Sequence, residues 1–126
     1  MPESGKVIAL VDDEQETLSR VTKLLTENGY RVAAYPHPTQ LIRDLVVERT
    51  LEFDLLLTDM DLGPTWTGAE LIRTLRRNEC AKPMILWSGG QEIDKVGTGG
   101  DGPTMKMRKR HEGLLVRHIR RLLGQT

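Results

Sequence analysis

The sequence predicts an α/β fold in which five parallel strands carry helices on both faces. Short apolar runs at residues 7–11, 31–34, 53–57 and 84–87 recur with turn chemistry on either side, the pattern of strands buried on both faces of a parallel sheet. Between them lie segments whose apolar residues repeat at helical spacing, and that alternation implies right-handed crossovers covering both faces. Acids close two of the runs: Asp12 and Asp13 follow residues 6–11, and Asp59 follows residues 53–58.

Each element has its own warrant. After the first strand, Leu18, Val21 and Leu25 recur at i, i+3, i+7, and Asn28-Gly29 stops that helix. The second strand leads to Pro38, a residue tolerated in a first turn, with Leu41 and Leu45 at i, i+4 behind it. Beyond the third strand, Thr67-Gly68-Ala69-Glu70 reads as a capping box opening a helix that buries Leu71, Ile72 and Leu75 before Lys82-Pro83 breaks it. The fourth strand runs into residues 89–102, which hold six glycines: Gly89, Gly90, Gly97, Gly99, Gly100 and Gly102. Glycine raises the entropy lost on ordering, so the fourth helix is expected to be short, within residues 91–96, or disordered. The fifth strand then falls to residues 103–107, and the last helix to about 108–123, burying Leu115, Ile119 and Leu122.

A chain of 126 residues suits one domain with a sizeable core, here about residues 6–123. Formal net charge is zero, yet residues 105–126 hold seven Lys/Arg against the single Glu112. The bases therefore sit on the last helix and the acids gather near the strand ends. Whole-chain charge points to neither nucleic acid nor membrane. The lone Cys80 excludes an internal disulfide, and the early apolar run is too short for a signal-peptide core or a membrane span. A cytoplasmic protein is expected.

Crowded carboxylates stay ionised only when positive charge sits among them, so Asp12, Asp13 and Asp59 predict a hard divalent cation, Mg²⁺. In the flavodoxin-like strand order 2-1-3-4-5, strands one and three are neighbours and their carboxyl ends form the ligand crevice, where the three acids meet. Ser88 closes strand four and Lys106 strand five. A nucleophilic carboxylate, a cation and two fixed donors make a kit for accepting a phosphoryl group. His37, His111 and His118 lack metal-ligand spacing with one another.

Through Val11-Asp12-Asp13-Glu14, Leu57-Thr58-Asp59-Met60-Asp61, Trp87-Ser88-Gly89 and Met105-Lys106, the chain resembles the response-regulator receiver (CheY-like) family of two-component signalling. The resemblance implies Asp59 as phosphoacceptor, Asp13 as direct Mg²⁺ ligand, Asp12 as ligand through water, and Asp61 as donor of its backbone carbonyl. It implies Ser88 as switch hydroxyl and Lys106 as the cation on the phosphoryl oxygens. It also implies a histidine kinase or histidine phosphotransfer domain as donor in a two-component or phosphorelay pathway. The domain would assist its own phosphorylation and slow dephosphorylation without being an enzyme otherwise. Output would pass through a downstream protein target, with no nucleic acid and no membrane as partner.

Departures from the family pattern are equally specific. Met107 stands where the family places Pro after the lysine, with Lys109 a conceivable substitute for Lys106. Pro103 occupies the usual aromatic switch position, and the interval from Ser88 to Lys106 is short. Two other readings stay open. One is a pseudo-receiver that binds partners without phosphorylation. The other is a haloacid-dehalogenase-type phosphatase, whose opening motif Asp59-Met60-Asp61 also resembles, although that family places its acidic pair late in the chain.

Overall fold

The structure is a computed structural model that describes residues 5–125. Strands β1 (Val7–Val11), β2 (Arg31–Tyr35), β3 (Leu55–Asp59), β4 (Met84–Ser88) and β5 (Met105–Arg108) form one parallel sheet in the order β2-β1-β3-β4-β5. Helices α1 (Gln15–Glu27) and α4 (Leu115–Leu122) cover one face, packing on Ile8, Leu10, Leu55, Leu57, Ile85 and Trp87. The opposite face, with Ala9, Val11, Leu56 and Leu86, takes α2 (Pro38–Ile42) through Leu41 and α3 (Gly68–Arg77) through Leu71, Ile72 and Leu75. Neighbouring residues of one strand thus enter different cores, the period-two consequence of the pleat.

Local chemistry sets the boundaries. Gly29, at φ +91°, turns the chain so that the Tyr30 N–H returns to the Leu25 carbonyl at 3.1 Å and the Tyr30 ring is buried. Pro38 opens α2, which widens into a π-helical turn over Arg43–Val47. That widening leaves Leu45 half-buried and Val47 70% exposed. The capping box at α3 is formed in both directions: the Glu70 N–H donates to Thr67 Oγ1 at 3.1 Å, and the Thr67 N–H donates to Glu70 Oε1 at 2.8 Å.

The glycine-rich connection holds one turn of 3₁₀ helix, Glu92–Lys95, pinned by buried Ile93. The rest is a run of turns, with Gly99 and Gly100 at positive φ. Arg76 of α3 ties its far end, donating to the Gly102 carbonyl at 3.1 Å and to Thr104 Oγ1 at 3.1 Å. Two expected boundaries move. The fifth strand lies at Met105–Arg108 rather than 103–107, because Pro103 has no N–H to give the ladder and its carbonyl is taken by the Gly99 N–H at 3.0 Å. The last helix starts seven residues later than expected: Lys109–Leu114 is 3₁₀-like and interrupted at His111 (φ −98°, ψ 25°), and regular α-helix begins at Leu115.

Candidate functional site

Pairing of Val11 with Thr58 sets the carboxyl ends of β1 and β3 side by side, so the residues that follow share one crevice. One carboxylate oxygen from each of Asp12, Asp13 and Asp59 lies within 4.8 Å of the others. Asp12 is fully buried and Asp59 is 8% exposed, while Asp13 faces solvent. Asp12 Oδ1 accepts the Glu14 N–H at 2.9 Å and so steers the chain into α1. The N-cap position itself is Glu14 and makes no side-chain cap bond, so Asp13 does not cap that helix.

Backbone bonds hold Asp59 and its loop. The Met60 N–H donates to the Trp87 carbonyl at 2.9 Å, and the Gly68 N–H donates to the Met60 carbonyl at 2.7 Å. Gly68 is required by that approach, since a Cβ there would stand 2.2 Å from the Asp59 carbonyl oxygen. Asp61 begins the loop: its backbone N–H bonds the Asp59 carboxylate, and its own Oδ1 accepts the Gly63 N–H at 3.4 Å.

The ammonium that reaches the acids belongs to Lys109. Its Nζ lies 3.1 Å from Asp12 Oδ2, 3.3 Å from Asp59 Oδ1, and 5.4 Å from the centre of the Trp87 ring. Lys106, expected in that place, is mid-strand opposite Leu86 and lies within electrostatic reach of Asp94. The reason is register. β5 continues to Arg108, paired with Ser88, so of the two lysines it is Lys109 that clears the sheet edge. The interval from Ser88 to Lys109 is three residues longer than that to Lys106, which removes the shortfall seen in the sequence.

Ser88 is buried at the end of β4, and its Oγ accepts the Gly90 N–H at 3.0 Å. That acceptor contact leaves the hydroxyl proton available for donation.

Electrostatics follow from the burial. The Asp59 carboxyl is pushed up to about 6, chiefly by burial and further by Asp12, against the opposing pull of Lys109. Asp13 is raised by burial and by the charges of Asp12 and Asp61. Burial alone would lower Lys109, but attraction to Asp59 and the bond to Asp12 leave it raised and firmly cationic. Three carboxylates against one ammonium leave the crevice short of positive charge. A cleft of about 490 Å³ lies elsewhere, lined by Val7, Leu45, Phe53 and Cys80, and none of these acids borders it.

The doubly wound α/β domain thus gathers an acid triad, a hydroxyl and an ammonium at its strand ends. The family model of the response regulator receiver domain matches residues 8–101, and the chain belongs to that family. The cell cycle transcriptional regulator CtrA of Caulobacter vibrioides is 31% identical over 104 residues, covering 81% of this chain and 43% of that protein. The chain thus spans less than half the length of that curated relative. A receiver domain from Clostridium thermocellum superposes with a TM-score of 0.80 at 21% identity over 95% of each chain. The chemotaxis response regulator CheY4 of Vibrio cholerae gives 0.77 at 21% identity over 95% of this chain and 100% of the other. These likenesses show the same flavodoxin-like fold, with the strands of this chain in the order β2-β1-β3-β4-β5. Domains of this family work in two-component signalling with histidine kinases or phosphotransfer proteins and hold Mg²⁺ through acidic residues. Among the described residues no helix is long and apolar enough to cross a membrane.

Proposed function

We propose that this receiver domain accepts a phosphoryl group on Asp59 from a phosphohistidine of a histidine kinase or phosphotransfer domain. The observation that carries the reading is the meeting of the Asp59 carboxylate with the Lys109 ammonium at 3.3 Å beside two further carboxylates. In the transfer an Asp59 carboxylate oxygen forms the new O–P bond, the donor's N–P bond breaks, and the leaving imidazole nitrogen takes a proton. Lys109 neutralises charge on the transferring oxygens, and Ser88 donates its hydroxyl proton to one of them.

The donor set suits Mg²⁺, being all oxygen, without His or Cys, and short of positive charge. Asp13 would ligate it directly with Asp59 and the Asp61 backbone carbonyl, and Asp12 would act through water. Bound there, the ion neutralises developing charge on the phosphoryl oxygens. The chain performs no chemistry on other substrates in this reading; it assists its own phosphorylation and its slow dephosphorylation. Output passes by contact of this domain with a downstream protein or by onward phosphotransfer.

Incubation with a phosphorylated histidine phosphotransfer domain and Mg²⁺ is expected to move label onto the chain with a one-to-one ceiling, followed by slow release. Steady phosphate release from small phosphoesters would favour the phosphatase reading. Absence of both uptake and Mg²⁺ binding would favour the pseudo-receiver.

Metal binding carries its own expectation. Asp13→Asn should weaken Mg²⁺ at least roughly ten-fold, the scale of losing a group around a metal site. Trp87 fluorescence is the readout, since the Lys109 ammonium over its ring responds to charge entering the crevice. Zn²⁺-selective binding that survives Asp13→Asn would contradict the site as described.

A further inference from the structure

We infer that Arg108 is a positioning residue for phosphoryl transfer, holding Ser88 and Lys109 in place through a clamp on the β4–β5 connection. This deepens the receiver reading and rests on it.

Arg108 is the last residue of β5, and its register partner is Ser88. Its guanidinium reaches back over the connection that leaves β4. Nη2 donates to both carboxylate oxygens of Asp94, at 2.6 and 2.8 Å, and Nη1 donates to the Gly90 carbonyl at 3.1 Å. The Gly90 N–H donates in turn to Ser88 Oγ at 3.0 Å. One peptide segment is therefore gripped at both ends, by Ser88 through its N–H and by Arg108 through its carbonyl. The strand ladder between Ser88 and Arg108 closes the ring.

The ring has two consequences. Ser88 Oγ is held as an acceptor toward Gly90, which directs its own proton elsewhere and readies it as a donor. Lys109 follows Arg108 directly, so the same anchor fixes the backbone from which its ammonium reaches Asp12 and Asp59. The connection needs such an anchor. It carries Gly89 and Gly90 at its start, and glycine backbones lose the most entropy on ordering. Planar, forked geometry suits arginine to the task, because one side chain spans a carboxylate and a carbonyl at fixed angles. A lysine offers a single point charge and cannot hold both.

The pair with Asp94 is open to solvent: the side chains are 31% and 56% exposed. Its worth therefore lies in geometry rather than in folding energy. Misplacement of a donor far from the bond being made is enough to slow a reaction substantially.

The test compares phosphoryl uptake from acetyl phosphate, Mg²⁺ binding, and amide exchange over residues 89–96 in wild type, Arg108→Ala, Arg108→Lys, Asp94→Asn, Ser88→Ala and the Ser88→Ala/Arg108→Ala double variant. Arg108→Ala should slow uptake roughly ten- to a hundred-fold, the scale of a misplaced group, and speed amide exchange across the connection. Its Mg²⁺ affinity should stay at the wild-type value, because the acids are untouched. Arg108→Lys should not restore the rate, and Asp94→Asn should show a smaller loss, since the Gly90 contact remains. The double variant should lose less than the product of its parents' losses, because part of what Arg108 does passes through Ser88 while its hold on Lys109 does not. Uptake by Arg108→Ala at the wild-type rate would overturn the inference, as would losses that multiply in the double variant. If wild type itself takes no phosphoryl group, the receiver reading fails and this inference fails with it. A labelled wild type with an unaffected Arg108→Ala sinks the inference alone.

Discussion

Replacing Lys109 with alanine is expected to slow phosphoryl uptake at Asp59 roughly a hundred-fold, the cost of removing one charged donor from a developing oxyanion. Lys106→Ala should stay within about two-fold, as befits a half-buried charge outside the crevice. Among the described residues, Lys109 is the cation within ion-pair distance of both Asp12 and Asp59, and its side chain is only 24% exposed. Its removal acts twice. The transferring oxygens lose their fixed positive partner, and Asp59 loses the charge that holds its carboxyl down toward the ionised form. A second readout separates this from general damage. With the competing ammonium gone, three carboxylates stand with less compensation, so Lys109→Ala should bind Mg²⁺ more tightly than wild type. A large loss on Lys106→Ala with little effect from Lys109→Ala would reverse the assignment.

Asp59→Asn should stabilise the fold in metal-free buffer above about pH 6 and lose that advantage as pH falls toward 4. The Asp59 carboxyl has a pKa of about 6 in the fold against 3.8 as its ordinary value, mainly through burial. A group whose folded pKa exceeds its unfolded one binds protons more tightly when folded. It therefore costs stability when ionised, fully above the folded value and not at all below the unfolded one. A shift of about two units corresponds to about 3 kcal/mol, which solvent at the crevice mouth reduces to about 1–2 kcal/mol. For a chain of this size that is roughly 5 °C in Tm. Melting curves of both proteins with chelator, from pH 4 to pH 8, check it, and a gap that widens toward low pH would contradict the buried-charge account. Mg²⁺ should narrow the gap at neutral pH by stabilising wild type through binding.

Much of this was legible in the sequence because the carriers are local. Residues 7–11, 55–59 and 84–88 are apolar runs long enough to cross a buried sheet, and each ends in the polar residue that reaches the crevice: Asp12 beyond β1, Asp59 on β3, Ser88 on β4. The capping box at Thr67 and the turn at Gly29 are written within four residues, and both formed as read.

Position on β5 was not local. The strand reads Met-Lys-Met-Arg and is followed by another lysine, so neither apolarity nor charge marks where it ends. Only pairing with β4, whose register partners lie 20 residues away in sequence, decides that Lys109 and not Lys106 clears the edge. The signal available was the short interval after Ser88. The late start of α4 has the same character. The apolar repeat of Leu115, Ile119 and Leu122 does not itself mark a start, and His111 and Gly113 sit in a stretch that never settles into α-helix before Leu115. The Arg108 clamp joins residues 14 and 18 positions apart, and no pattern along the chain announces it.

The central claim is that Asp59, supported by Lys109 and the neighbouring acids, is the residue that takes the phosphoryl group. The direct measurement is intact mass and peptide mapping after incubation with acetyl phosphate and Mg²⁺. Wild type should gain a single phosphoryl group located on the peptide that contains Asp59. Asp59→Asn should gain none, and Asp61→Asn, which keeps its backbone carbonyl, should still be labelled. Equal labelling of wild type and Asp59→Asn would contradict the account.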